Sequence, residues 1–153
     1  WYQVIPVQTF DKSLGAFQAS GTLVKINTKV FMKALGSVGS VQIKGNTATS
    51  QIQTGGTYFV GNYSQLQVSF WYQSVSTSVG DRFTVQISSD NGVSWSIVRQ
   101  FSRNTDWTSN SVWYNASVQF AKPAAAQSIR LRIATSILSS GSLYFENVSL
   151  DGQ

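Results

Sequence analysis

Apolar and polar residues alternate along most of this chain. Phe83, Val85 and Ile87 interleave with Arg82, Thr84, Gln86 and Ser88, the two-residue period of a strand with one buried face. Leu66, Val68, Phe70 and Tyr72 repeat the pattern against Gln65, Gln67, Ser69 and Trp71. So do Tyr114, Ala116, Val118 and Phe120 against Trp113, Asn115, Ser117 and Gln119. Ile129, Leu131 and Ile133 do the same against Ser128, Arg130 and Arg132. The pattern predicts strands at 2–7, 22–26, 30–34, 38–44, 49–53, 57–60, 65–73, 82–88, 96–101, 111–120, 128–135 and 141–150. Gly, Asn, Asp and Ser clusters punctuate them. Almost nothing reads as helix, and 122–127 contains Pro123 and reads as a loop or single turn. Many short, evenly spaced strands predict an all-β fold, an antiparallel β-sandwich, in one domain spanning 1–153.

One connection is sharply specified. Asp90-Asn91-Gly92 lies between the strands at 82–88 and 96–101, and these residue types tolerate or demand unusual backbone angles. Ser88, Asp90, Gly92 and Trp95 have the spacing called an Asp-box. Its physical reading is a turn: Asp90 accepts backbone N–H bonds, Gly92 permits positive φ, and Trp95 packs back on the hairpin. Where sialidases carry the box it lies away from the active site, so it implies no such chemistry.

Composition narrows the function. Charged residues are 11% of the chain and Ser, Thr, Asn, Gln and Gly carry most of the polarity, as expected of strands with hydroxyl and amide outer faces. The chain has no Cys and no His. That removes disulfides, thiolate and imidazole metal sites, and the commonest nucleophiles and general bases. No apolar run approaches the ~18 residues of a membrane helix. The first residue is Trp1, and no signal peptide precedes the first strand, so a processed or excised domain is expected. The net charge of +5 favours anionic partners at long range. No Lys/Arg run or nucleic-acid motif points to DNA or RNA.

Trp71 and Trp113 fall on otherwise polar strand faces. A flat aromatic among amides and guanidinium groups suits a sugar ring, its face against C–H groups and its neighbours on the hydroxyls. Buried Trp is the competing reading for both. Trp107, in the segment Asn104 to Thr108, is either a binding residue on a loop or a plug at the end of the sandwich. The candidate ligand-binding set is Trp71, Gln67, Arg82, Gln86, Arg130, Arg132, Trp113 and Trp107. It requires the strands of Trp71 and of the arginines to share one exposed sheet. The arginines lean the expected ligand toward an acidic polysaccharide, a uronate or sulfated one.

LQVSFWY at 66–72, Gly80-Asp81-Arg82-Phe83, SSDNGVSW, SIRLRI and SGSLYFENVSLDG, with the opening Thr9 to Phe17, form a pattern. It resembles the MAM-like jelly-roll modules of secreted proteins, related in shape to galactose-binding-like domains and carbohydrate-binding modules. The animal members' cysteines are missing, which favours a microbial relative. The resemblance implies a jelly roll with a non-catalytic recognition role, a polysaccharide as partner, and tethering to other domains of a secreted parent. Independently of the resemblance, a monomer is expected, with neither membrane insertion nor nucleic-acid binding. Similar jelly rolls often hold a structural Ca²⁺ between an early loop and the last strand, and Asp11, Glu146 and Asp151 stand at the matching ends here. The alternatives are an adhesion or protein-interaction module and a small jelly-roll lyase or hydrolase. A hydrolase needs two carboxylates across the scissile bond, and no local pair among the six acids suggests it.

Overall fold

The computed structural model describes residues 1–21, 23–30, 36–45, 50–137 and 141–153. Among them are twelve strands: β1 (Tyr2–Gln8), β2 (Phe17–Ser20), β3 (Val24–Asn27), β4 (Ser40–Lys44), β5 (Gln51–Thr54), β6 (Tyr58–Phe59), β7 (Gln65–Val75), β8 (Arg82–Ser88), β9 (Ser96–Ser102), β10 (Trp113–Ala121), β11 (Ser128–Ile137) and β12 (Ser142–Gly152). The strand expected at 30–34 lies largely outside the described residues. β2 is an addition to the expected set. It has one large apolar residue, Phe17, so the alternation that reveals a strand is weak there.

The strands form two antiparallel sheets packed as a sandwich with jelly-roll architecture. The first sheet runs β10-β7-β12-β4-β3, with β1 also paired to β12. The second runs β2-β5-β11-β8-β9, with β6 also paired to β11. β7 and β8 are consecutive in the chain but belong to opposite sheets. The segment 76–81 carries the chain across, and Ser76 and Gly80 take positive φ within it.

The alternating apolar rows meet between the sheets. Leu66, Val68, Phe70 and Tyr72 of β7 are buried, as are Phe83, Val85 and Ile87 of β8 and Ile129, Leu131 and Ile133 of β11. Phe83 is the hub. It stacks on Phe101, its cross-strand partner, with centroids 4.7 Å apart. It meets Phe145 edge-on at 5.1 Å, and Tyr72, Phe70 and Trp107 at 5.2, 6.1 and 5.7 Å. Trp107 is 1% exposed and its indole N–H donates to Thr77 Oγ1 at 3.2 Å. It is therefore the plug, and its place in the candidate binding set is withdrawn. A ring that large is more stable under the aromatic cluster than in water, provided its one donor is satisfied.

The β8–β9 turn is built by its own side chains. Asp90 accepts from the Ser94 backbone N–H at 2.9 Å and from the Ser94 hydroxyl, while the Ser88 hydroxyl donates to Asp90 and accepts from Gly92 N–H at 2.7 Å. Trp95 closes back with its indole N–H on the Gly92 carbonyl at 3.2 Å. Gly92 sits at φ +88°, where a side chain is strained. The Ser94 hydroxyl, then the Ser94 backbone, then Ser88, lower the Asp90 pKa from the ordinary 3.8 to about 2.

Two tests follow from this packing. Phe83→Ala removes a ring bridging both sheets and should cost about 3–5 kcal/mol in chemical denaturation. For Asp90 the folded pKa lies below the unfolded one. Its contribution is therefore complete above the ordinary 3.8 and is lost as pH falls through about 2. Asp90→Asn should melt below the wild type at neutral pH, and the gap should close across that interval. A gap independent of pH would contradict the assignment.

Candidate functional site

The outward positions of the first sheet follow from its inward ones. Because Phe70 and Tyr72 point to the core, Trp71 and Gln73 point away from it. Register then lines up rows across the sheet. Trp113 of β10 pairs with Gln73 of β7, Gln73 with Tyr144 of β12, Tyr144 with Gln42 of β4, and Gln42 with Lys25 of β3. In the next row Asn115 pairs with Trp71, and Trp71 with Glu146. Ser117 pairs with Ser69 and Gln119 with Gln67 in the rows beyond.

Trp71 and Trp113 are thus diagonal neighbours on one face, about 7–8 Å apart by sheet geometry. Both are half-buried, while Asn115, Ser117 and Gln119 beside them are exposed. The amides around them are tied in place. Gln119 Nε2 donates to Gln67 Oε1 at 2.8 Å, and Gln67 Nε2 donates to Ser69 Oγ at 3.2 Å. Such bonds fix each amide's orientation while leaving further donors and acceptors for a ligand.

The other half of this face is closed. Gln42, Gln73, Ser142 and Tyr144 face away from the core yet are buried, and Ser40 and Glu146 are inaccessible. Asn27 Nδ2 donates to Gln42 Oε1 at 2.9 Å and Gln42 Nε2 to Ser142 Oγ at 3.0 Å. Burial pushes the Tyr144 phenol above its ordinary range, so it is a neutral hydroxyl at physiological pH. The open part of the face is therefore the β7–β10 ribbon, with Gln73 and Tyr144 along its inner margin. Asn115, Ser69, Ser117 and Gln119 were absent from the candidate set. Each alternates with a core residue on a strand that carries an outward Trp, and that signal was present in the sequence.

The arginines are elsewhere. Arg82, Gln86, Arg130 and Arg132 belong to β8 and β11, in the second sheet, and do not share a face with Trp71, Gln67 and Trp113. The shared surface expected from the sequence does not exist, because β7 and β8 lie in different sheets. Two of the arginines are also committed internally. Arg130 donates Nε to the Thr54 carbonyl at 3.0 Å and Nη1 to the Asn91 carbonyl at 3.3 Å, tying the β8–β9 turn to β5. Arg132 lies over the Trp95 ring at 4.1 Å and donates Nε to Gln86 Oε1 at 2.9 Å.

The three carboxylates suggested for calcium do not gather. Asp11 accepts from Val38 N–H at 2.9 Å and from the Thr9 hydroxyl at 3.0 Å. Glu146 is buried opposite Trp71, and Asp151 lies farther along β12, opposite Gln67. Among the described residues, no group of three Asp, Glu, His or Cys side chains is placed to hold a metal ion. The expected calcium triad does not fit this geometry.

In sequence, no family model and no curated protein matches the chain. In structure it resembles several solved modules. A family 61 carbohydrate-binding module in complex with β-1,4-galactotriose is similar over 100% of both chains, with a TM-score of 0.66 and 11% identity. The family 22 and family 10 modules of a Clostridium thermocellum endo-1,4-β-D-xylanase, complexed with xylohexaose, match over 99% of this chain and 29% of that one, with a TM-score of 0.67 and 15% identity. The K1 cleaved adhesin domain of Lys-gingipain from Porphyromonas gingivalis W83 matches over 95% and 96%, with a TM-score of 0.67 and 10% identity. The chain shares the jelly-roll fold of these modules.

The difference in burial among the tryptophans can be measured. Acrylamide should quench the emission of Trp71 and Trp113 and spare Trp107, and Trp107→Phe should remove the protected component. A protected component that survives that substitution would contradict the placement of Trp107.

Proposed function

We propose that this protein is a non-catalytic module that binds a polysaccharide across the β7–β10 ribbon. The observation that carries the reading is the diagonal placement of Trp71 and Trp113 on one open face among Gln67, Ser69, Asn115, Ser117 and Gln119. The indole faces would cover the C–H faces of successive sugar rings, and the ordered amides and hydroxyls would take their hydroxyl groups. The site is preformed, so little ordering opposes binding. The galactotriose and xylohexaose complexes of structurally similar modules support a neutral, β-linked glycan. The lean toward an acidic glycan loses its basis, since the arginines that motivated it occupy the opposite sheet. Attachment to a larger extracellular protein is part of this reading, as in the xylanase whose modules include one of this fold.

The adhesion reading draws on the likeness to the adhesin domain and on β1, where Tyr2 and Val7 are exposed along an outer strand. It is the reading left standing if no glycan is bound.

Affinity electrophoresis in gels containing xylan, galactan, a pectate and a sulfated galactan tests the proposal. Retardation in a neutral gel is the expected result, and unchanged mobility in every gel would sink it. Trp71→Ala and Trp113→Ala should each weaken binding by about 10- to 100-fold, the equivalent of ~1.5–3 kcal/mol for losing a buried aromatic contact. No reducing ends should be released from the retained polysaccharide.

A further inference from the structure

A hollow of about 600 Å³ opens on one flank of the sandwich, and neither Trp71 nor Trp113 lines it. Its walls are β9 and β10, the outermost strands of the two sheets. The floor is Tyr72 with Ala116 and Val118, and Arg99 and Asp106 stand on the β9 side.

The hollow has a cause in the sequence. The inward row of β10 is Tyr114, Ala116, Val118 and Phe120, and its two middle members are small. Opposite them, Arg99 takes an inward register position, paired with the core residue Val85. A guanidinium there faces the gap between the sheets where a Leu or Phe would have closed it. An inward charge on an outer strand also discourages strand pairing with another chain. That role does not require the arrangement that holds Arg99.

Arg99 is held on two sides. Its Nη2 meets Asp106 Oδ1 at 2.7 Å and its guanidinium lies over the Phe101 ring at 5.4 Å, yet its side chain stays 52% exposed. Asp106, only 12% exposed, is itself anchored, accepting Ser102 N–H at 2.7 Å on Oδ2 and the Tyr72 hydroxyl at 3.0 Å on its backbone carbonyl. The hollow therefore displays a fixed donor next to a fixed acceptor. Adjacent hydroxyls on a sugar ring are the complement, one accepting from the guanidinium and the other donating to the carboxylate. The two charges cancel, so the pair selects for a neutral ring and not for a carboxylate or sulfate. The volume suits a small ligand and not a long chain. Asn115, Ser117 and Gln119 border both the hollow and the outer face.

We infer that this flank hollow is a second sugar site, taking one neutral ring, a chain end or side branch, between Arg99–Asp106 and Ala116–Val118. The inference rests on the module being a glycan binder but not on the outer face being its site.

The test is a titration of ¹⁵N-labelled protein with methyl β-D-xyloside, methyl β-D-galactoside and methyl β-D-glucuronoside, followed by amide chemical shifts. Saturable shifts at Arg99, Asp106, Ala116 and Val118 with a neutral glycoside are expected, and they should persist in Trp71→Ala. Arg99→Gln should weaken them about tenfold or more, from the loss of a charge-assisted bond. Ala116→Leu, which fills the hollow and removes no core atom, should abolish them and leave polysaccharide retardation in gels intact. Still amides at those four residues with every glycoside overturn the second site, as does tighter binding of the glucuronoside. The gels judge the outer face separately, so either site can fail alone.

Discussion

The contact on which the rest depends is the ring cluster around Phe83. Its residues come from both sheets: Phe83 and Phe101 from β8 and β9, Phe70 and Tyr72 from β7, and Phe145 from β12. Strand hydrogen bonds hold each sheet together but say nothing about how the two sheets face each other. That relation is fixed by side chains meeting across the gap, and large rings meeting edge to face do so with specificity as well as area. Without disulfides, no covalent link shares this task.

The outer surfaces inherit their order from that packing. A strand in which Phe70 and Tyr72 must face inward has no choice about Trp71. A register slip of one residue on β7 would bury Trp71 and expose Phe70, so core packing positions the candidate site without touching a ligand. The same logic explains the hollow. Small inward residues at Ala116 and Val118 and a charged one at Arg99 mark where the core stops short of the flank.

Most strands were legible because a two-residue period is a local property. The rows at 65–73, 82–88 and 128–135 each revealed which residues face inward, and the structure agrees with all three. The outward placement of Trp71 and Trp113 was legible for the same reason. Sheet membership was not. β7 and β8 are separated by six residues, a length that serves equally for a hairpin-like return or a crossing to the other sheet. Grouping Arg82, Gln86, Arg130 and Arg132 with Trp71 assumed the former. Trp107 was undecidable in sequence because it lies in a turn, where no alternation reports burial. The inaccessibility of Glu146 was hidden too, since the strand pattern does not report which part of an outer face is covered.

The basic balance of the chain does not by itself select a ligand. A net charge of +5 invites an acidic partner, yet a charge can recognise a ligand only if its donors remain available. Arg130 gives its donors to backbone carbonyls and Arg132 gives Nε to Gln86 over an aromatic ring, while Asp106 neutralises the charge of Arg99 without using all of its donors. What remains at long range is a weak, salt-screened attraction. What remains at short range on the β7–β10 ribbon is two indoles among uncharged amides and hydroxyls. Short-range complementarity sets specificity, because an unmatched buried donor or acceptor costs more than a distant charge can return. The same distribution of charge that makes this protein basic therefore leaves the face of Trp71 and Trp113 suited to a neutral ligand.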